Sequence, residues 1–498
     1  MLALIIFTAF LLRIIPLGFP QFTSDEARIA LRAYTLNEYG SDEGGRKHPF
    51  IFNSLTDYQL PITSYIASAG VSIFGKSDLG VRLPFILVGT IVVLLSYMAA
   101  SIFNPSRKFR LLVALVTAFS PVAIFLSRVP NETILVTFLF LLQLLLLTRK
   151  NFNLPANVLV FVLLLSTSKI AWFILVPFTA FTLLVLQKDF SKKAKVTIFI
   201  SLLLTTFTIF IFLKIPQSIR SLMENNFQIF SSETVKNGID KLRGQGIQEG
   251  WPPFLERMLF NKLDYFFVGF FHWLSHLNLG SKILIIPLVI GLIHLIKRSD
   301  KKLNIQLFGY IIIVTFPLLF VYPRQFPEIV ALSLPFMFIT VAYGLINIKK
   351  WLTVLIIITA VLEIIIYNPS GLRPAWIKQI VEESYSLTKQ DKKVALSDDI
   401  VEDIIPFFGL YTQIKSANGF SMIDFPYRFR EYQLPNIKLI GFDNEFRSCG
   451  REEKMSLILS NRDLDKAKKD FEINVESIFK DSLNKTVAYK LKNRICVN

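Results

Sequence analysis

The sequence predicts an all-α polytopic membrane protein that ends in a small C-terminal α/β domain. Hydrophobic residues make up 52% of the 498 residues and charged residues only 18%, whereas a soluble protein carries about 25% charged residues. Apolar runs recur along the chain at close to the roughly 20 residues that cross a bilayer. The runs stop near residue 367, and the remaining segment, 368–498, has the length of one small domain.

The apolar segments predict about eleven membrane helices. Met1–Phe19 lacks the basic start and the small-residue cleavage site of a signal peptide, so we interpret it as the first helix. The later segments are Arg82–Phe103, Leu111–Leu126, Ile134–Thr148, Ala156–Gln187, Val196–Leu213, Lys282–Ile296, Ile305–Tyr322, Ile329–Ile348 and Trp351–Tyr367. Ala156–Gln187 is too long for one span, and Lys169 near its middle predicts two short helices with a tight turn. We expect the aromatic-rich Lys262–Leu277 to lie in the outer interface.

Basic residues are concentrated in alternate connections, which predicts the orientation in the membrane. The basic clusters occupy 107–110, 149–150, 188–195, 297–302 and 349–350. Because cytoplasmic loops are enriched in Lys and Arg, we expect these loops inside and 20–81, 214–281 and 368–498 outside. These loops also account for the net charge of +17. The excess is spread over short loops, which argues against a nucleic-acid partner.

The C-terminal segment alternates between two kinds of pattern. Lys393–Leu396 and Ile437–Ile440 are short apolar runs typical of strands, whereas Asp463–Phe471 has a helical pattern. We therefore predict an extracytoplasmic α/β domain over 368–498, attached to a membrane module over 1–367.

Two adjacent carboxylates, Asp25 and Glu26, follow the first apolar segment directly. Charges are costly to hold close to hydrocarbon, so their presence at a membrane exit indicates a functional site. A structural alternative stays open. Ser24 and Asp25 begin an amphipathic helix, and acidic residues stabilise the first turn of a helix.

Further isolated charges fall on the predicted outer side, where basic residues are rare. They are Arg128, Glu132, Lys169 and Arg324. Each cation taken singly is also typical of an anchor to lipid headgroups. Together they suit transfer from a lipid-linked phosphate, since cations bind a phosphate and stabilise the charge of a phosphate leaving group. A carboxylate can remove the proton of an acceptor hydroxyl as a general base.

The order of several short motifs resembles the GT-C membrane glycosyltransferases that use polyprenyl-phosphate sugars, in particular bacterial aminoarabinose (lipid A) transferases and protein O-mannosyltransferases. The resemblance covers about the first 350 residues. The motifs are Ser24-Asp25-Glu26-Ala27-Arg28, Phe74-Gly75, Arg82-Leu83-Pro84, Ser120-Pro121 with Arg128 and Glu132, Thr167-Ser168-Lys169, and Tyr322-Pro323-Arg324 with Leu334-Pro335. The resemblance implies a GT-C fold and transfer of a sugar to a lipid, protein or envelope-glycan acceptor, with inversion, at the outer face of the cytoplasmic membrane.

The resemblance also implies roles for individual residues. Asp25 is expected to be the catalytic base or to position the acceptor, and Glu132 to be the second acid of the site. Glu26 is expected to assist Asp25 or, with Glu132, to bind a divalent metal. The donor phosphate or sugar is expected to contact Arg128, Lys169 and Arg324.

One departure from the family concerns the donor. Gln59-Leu60-Pro61-Ile62 stands where the family often has Lys-Pro-Pro-Leu, so a phosphate-binding lysine is missing. Arg46, Lys47 and His48 lie nearby in sequence and are candidate substitutes, although His48 also fits an ordinary surface loop. Two other functions therefore stay open: a transporter or flippase of lipid-linked glycans, and a catalytically inactive homologue that binds lipid.

Overall fold

The computed structural model describes helices between residues 1 and 388 and a sheet in the C-terminal segment. The described residues are 1–15, 22, 24–42, 46–53, 58–149, 153–186, 196–205, 282–297, 301–315, 326–366, 376–388, 393–397, 437–440, 455–460, 464, 471–480 and 486–496. The predicted outer segments 214–281, including Lys262–Leu277, and the residue Arg324 lie outside these ranges.

Helices dominate the described residues from 1 to 388. In chain order they are α1 (Leu2–Ile14), α2 (Ser24–Tyr39), α3 (Pro61–Phe74), α4 (Asp78–Phe103), α5 (Arg107–Phe119), α6 (Pro121–Arg128), α7 (Glu132–Leu147), α8 (Leu154–Leu165), α9 (Lys169–Leu186), α10 (Val196–Thr205), α11 (Ile285–Lys297), α12 (Lys301–Thr315), α13 (Phe326–Ile346), α14 (Lys350–Ile366) and α15 (Trp376–Thr388). A short hairpin, β1 (Phe52–Asn53) and β2 (Tyr58–Gln59), precedes α3.

The predicted single helix over Leu111–Leu126 is wrong, because the chain breaks at Ser120-Pro121. Helices α5 and α6 meet there at a bend of 56°. Proline lacks the N–H that would continue the hydrogen-bond ladder of α5, and it suits the first position of a new helix. The Ser120 hydroxyl accepts a hydrogen bond from the Ala123 amide and so caps α6.

The predicted division of Ala156–Gln187 into two helices is confirmed. Helix α8 ends at Leu165, and α9 begins at Lys169 after a three-residue turn. The amides of Ser166 and Ser168 donate to carbonyls of the last turn of α8, so the turn closes on that helix. The residues of this turn are buried.

Helix α13 is the centre of the apolar core, where it contacts α5, α7, α11 and α12. Its approach to α11 depends on glycines. A Cβ built on Gly344 of α13 would lie 1.8 Å from the Pro287 carbonyl oxygen, and one built on Gly291 would lie 2.1 Å from the Thr340 carbonyl oxygen. The two backbones can therefore touch only because both positions lack a side chain.

One described helix, α4, is long and apolar enough by itself to cross a bilayer, and the bent pair α5–α6 gives a second span if it counts as one. Several other apolar helices of 10–17 residues accompany them. The number of about eleven spans stays a prediction.

The C-terminal segment forms a mixed five-stranded sheet, which bears out the predicted strands. Its strands are β3 (Lys393–Ser397), β4 (Ile437–Ile440), β5 (Met455–Ser460), β6 (Phe471–Lys480) and β7 (Thr486–Cys496), in the spatial order β4-β3-β5-β7-β6. The first three pair in parallel, and the last two pairings are antiparallel. The predicted helix Asp463–Phe471 falls almost wholly outside the described residues, and Phe471 itself begins β6.

The chain divides into two compact units. The first comprises 1–16, 50–66 and 82–367, and the second comprises 17–49, 67–81 and 368–498. Helix α2 thus belongs to the unit that holds the C-terminal sheet, whereas the turns before α7 and α9 belong to the other.

Candidate functional site

In the first unit, hydrogen bonds connect the ends of three helices that carry polar side chains. Asn131 caps α7 by accepting a hydrogen bond from the Thr133 amide, and Glu132 is the first residue of that helix. The Ser168 hydroxyl, in the α8–α9 turn, donates to Oε1 of Glu132 at 2.8 Å. The Ser166 carbonyl of the same turn accepts from the Ile62 amide at the start of α3 at 3.5 Å. We call Thr63, Ser64, Glu132, Thr133 and Ser168 the helix-end polar cluster.

Two arginines cap helix ends reciprocally between α1 and the α5–α6 pair. Arg13 of α1 is buried and donates to the carbonyls of Thr117 and Ala118, at 3.3 Å each, where α5 ends. Arg128, the last residue of α6, donates to the carbonyls of Leu12 and of Ile15 at the end of α1. Cations suit these positions because the carbonyls at a helix C-terminus carry partial negative charge. The exchange fixes Arg128 against the end of α1.

A third arginine joins these two. Arg128 lies close enough to both Arg13 and Arg82 for their charges to repel. Arg82 is in the second turn of α4 and is 1% exposed. Three like charges in a mostly buried region repel one another and destabilise the folded protein unless anionic groups compensate them. We call Arg13, Arg82 and Arg128 the arginine cluster.

In the second unit, Asp25 and Glu26 lie in the first turn of α2. The side chains of Glu26, Arg28 and Arg32 are all buried, and each of them has interaction partners. Arg28 and Arg32 are four residues apart and therefore share a face. A helix that buries two arginines and a glutamate is organised around charge, which is rare for a purely structural helix.

The far end of α2 is attached to the segment that leads into α4. Lys76 forms an ion pair with Glu38. Burial, together with the negative charge of Asp78, raises the pKa of Tyr34 to about 12. These contacts hold α2 and the 75–78 turn together within the second unit.

The three candidate substitutes for the missing lysine lie in a loop that follows α2. Arg46 is bound to the buried carboxylate of Asp42, through its backbone amide at 2.8 Å and its Nε at 2.7 Å. Lys47 and His48 are exposed. His48 has a φ of 41°, and its amide donates to the carbonyl of Gly40, whose own φ is 63°. Arg46 therefore has a role in the loop itself, whereas the side chains of Lys47 and His48 are exposed on its surface.

The structure describes the backbone but not the side chains of Asp25 and Lys169, which begin or nearly begin α2 and α9. Among the described residues, no three His, Cys, Asp or Glu side chains converge as a metal site. Binding of a divalent metal by Glu26 or Glu132 stays a prediction, as do the catalytic and donor-binding roles.

Sequence reasoning did not select Arg82 or Ser168 as site residues. Arg82 lies at the edge of a long apolar segment, where a lone cation is typical of an interfacial anchor. Ser168 sits beside the more conspicuous Lys169. A sequence signal was available for the buried pair on α2, because Arg28 and Arg32 follow Asp25 at positions that lie on one helical face.

Comparison with solved structures confirms the predicted resemblance at the level of fold: the chain has a fold similar to those of ArnT and of an archaeal oligosaccharyltransferase. Neither a family model nor a curated protein sequence matches the chain.

Two proteins illustrate this similarity. ArnT from Cupriavidus metallidurans, in a crystal structure bound to undecaprenyl phosphate, superposes with a TM-score of 0.55 at 11% identity, over 98% of this chain and 97% of ArnT. The Archaeoglobus fulgidus oligosaccharyltransferase, in a complex with Zn and sulfate, gives a TM-score of 0.53 at 12% identity, over 100% of this chain and 75% of that protein. The same oligosaccharyltransferase tethered to an acceptor peptide containing the NVT sequon gives 0.52.

Proposed function

We propose that this protein is a membrane glycosyltransferase that moves a sugar from a polyprenyl-phosphate donor to a lipid, protein or envelope-glycan acceptor, with inversion. The fold supports this function, because one protein of the same architecture was crystallised with undecaprenyl phosphate and another with a tethered acceptor peptide. In this proposal, the helix-end polar cluster and the arginine cluster supply polar and cationic groups that such a reaction needs.

The convergence of Arg13, Arg82 and Arg128 carries the proposal. The carbonyls of α5 partly compensate Arg13, and those at the end of α1 partly compensate Arg128, but the charges of Arg82 and Arg128 still repel each other. A phosphate between them would lower their repulsion and accept charge-assisted hydrogen bonds from both guanidinium groups. The same pair would stabilise the negative charge on the departing polyprenyl phosphate. Lys169 and Arg324 are proposed to assist, and Arg46, Lys47 and His48 are proposed as further donor contacts.

In this proposal the acidic residues act on the acceptor and complete the catalytic site. Asp25 removes the proton from the acceptor hydroxyl as general base, and Glu26 supports it. Glu132, oriented by the hydrogen bond from Ser168, is the second acid. A divalent metal held by Glu26 or Glu132 would supply additional positive charge, and no step above depends on it.

We further propose that the chain crosses the cytoplasmic membrane several times, with 1–367 as the membrane module and 368–498 outside. The basic clusters at 107–110 and 349–350 support this orientation, because each one directly precedes or begins an apolar helix. The lipid bilayer is then the direct partner of the exposed apolar side chains.

The test is sugar transfer by purified protein carrying Asp25→Asn. We expect transfer to fall at least about 100-fold, since removal of a general base typically costs 10²–10⁴ in rate. Glu38→Gln is the matched control, because Glu38 is an exposed carboxylate on the same helix and pairs with Lys76. Normal transfer by well-folded Asp25→Asn protein would refute the catalytic assignment.

Two further measurements on the wild-type protein separate the alternatives. Vesicle flux of a lipid-linked glycan without any glycosyl product would support a transporter or flippase. Binding of undecaprenyl phosphate without either activity would support an inactive lipid-binding homologue.

A further inference from the structure

Three hydroxyl groups in the helix-end polar cluster are buried without a hydrogen-bond partner among the described residues. They are Oγ1 of Thr63, Oγ of Ser64 and Oγ1 of Thr133. Their residues are 5%, 0% and 2% exposed. Burial of a hydroxyl without a partner costs about 1–3 kcal/mol, so three such groups close to one set of helix ends need an explanation.

The positions of these hydroxyls explain why the protein itself does not satisfy them. Thr90, Thr117 and Thr137, which lie deeper in their helices, each donate to the carbonyl four residues earlier. Thr63, Ser64 and Thr133 lie in the first turns of α3 and α7, where the residue four positions earlier precedes the helix. The carbonyl acceptor four residues earlier in the same helix is therefore missing for all three hydroxyls.

These helix starts are brought to the same turn. The Ile62 amide, next to Thr63, donates to the Ser166 carbonyl, and Ser168 of that turn donates to Glu132, next to Thr133. The cluster thus contains hydroxyls, which both donate and accept, and a carboxylate, which accepts. A carboxylate would repel a phosphate but accepts hydrogen bonds from sugar hydroxyls.

We propose that Thr63, Ser64 and Thr133 bind hydroxyl groups of the donor's sugar ring and contribute to the choice of sugar. This inference rests on the proposed function. It assigns the neutral, hydroxyl-rich part of the donor to the helix-end polar cluster and the phosphate to the arginine cluster. A site built to hydrogen-bond a hydroxyl discriminates strongly against a ligand that lacks it, because its own buried groups then stay unpaired.

The experiment compares two lipids on the full-length protein in detergent. Undecaprenyl phosphate is the probe without a sugar, and undecaprenyl-phosphate hexoses and pentoses are the probes with one. The sugar that the wild-type protein binds most tightly is then used for the variants. For Thr63→Val and Ser64→Ala we expect the Kd of the sugar-linked lipid to rise about three- to tenfold, as expected for one neutral hydrogen bond. The Kd of undecaprenyl phosphate should stay unchanged.

Two controls separate binding from structure. Thr90→Val removes a buried hydroxyl that already has a backbone partner, so it should leave both Kd values unchanged. Thr63→Ser keeps the hydroxyl and should bind like the wild type. Thr63→Val should also melt no lower than the wild type, because it replaces an unpartnered hydroxyl by a methyl group of similar size.

Several outcomes would overturn the inference. If Thr63→Val and Ser64→Ala bind the sugar-linked lipid as the wild type does, the hydroxyls do not contact the sugar. An equal loss for both lipids would place the contact on the phosphate or indicate general disruption. If the wild-type protein transfers sugar while these variants bind normally, only this inference fails, whereas wild-type protein that binds neither lipid refutes the proposed function as well.

Discussion

The contact between Gly89 and Ser127 links helix packing directly to the arginine cluster. Gly89 lies in α4 about two turns after Arg82, and Ser127 immediately precedes Arg128 in α6. A Cβ built on Gly89 would lie 2.2 Å from the Ser127 Cβ. We therefore expect Gly89→Ala to push the end of α6 away from α4 and to displace Arg128 from Arg82.

The size of the displacement follows from that distance. Ordinary van der Waals contact of a Cβ begins at 3.4 Å, so α4 and α6 must separate by 3.4 − 2.2 = 1.2 Å at this point. A misplacement of about 1 Å in a positioned group can cost about 100-fold. We expect Gly89→Ala to weaken binding of undecaprenyl phosphate about 10- to 100-fold.

The assay is the Kd of undecaprenyl phosphate for the purified protein, with the double variant Gly89→Ala/Ser127→Gly as the control. In the double variant the glycine stands in α6 instead of α4, so the two helices can approach as closely as in the wild type. It should therefore recover most of the affinity. Ser127→Gly alone should bind nearly normally, since the Ser127 hydroxyl donates only to carbonyls of its own helix. Wild-type affinity of Gly89→Ala, or no recovery in the double variant, would refute the reasoning.

Three further predictions concern stability. Gly344→Ala should lower the free energy of unfolding by about 3 kcal/mol, measured by thermal unfolding, because its Cβ would overlap the Pro287 carbonyl; an unchanged melting temperature would contradict the close packing. Asp42→Asn should loosen the 40–48 loop, seen as faster hydrogen exchange there, because the charge that holds Arg46 is lost; exchange equal to wild type would count against it. Burial raises the pKa of Tyr34 from 10.0 to about 12, so the folded state keeps this proton after the unfolded state loses it. Stability should therefore fall as pH rises from about 10 to 12, and Tyr34→Phe should show a smaller fall; an equal fall would exclude Tyr34 as its source.

Much of the helical order could be predicted from local patterns. The α8–α9 turn was predicted correctly from two signals. The apolar run Ala156–Gln187 is longer than one span, and Lys169 places a charge near its middle, where the turn occurs. The bend at Ser120-Pro121 was missed, since the apolar pattern continues across it from Leu111 to Leu126. There the backbone geometry of proline, and not hydropathy, determines where the helix ends.

The candidate site was predictable only in part. Glu132 and Arg128 stand out as charges in apolar surroundings, and the structure gives each a defined partner in the helix ends. The approach of Arg82 to Arg128 depends on how α4 and α6 pack around Gly89, which is a long-range property. The burial of Thr63 and Ser64 likewise depends on tertiary contacts that no local pattern encodes.

The most direct test of the central claim is mass spectrometry of polyprenyl-phosphate-linked sugars in membranes from cells that produce either the wild-type protein or Asp25→Asn. We expect one polyprenyl-phosphate sugar to accumulate with Asp25→Asn and the corresponding sugar to disappear from an envelope lipid, protein or glycan. Identical pools of lipid-linked sugars and identical envelope glycans in the two membranes, at equal amounts of folded protein, would contradict it.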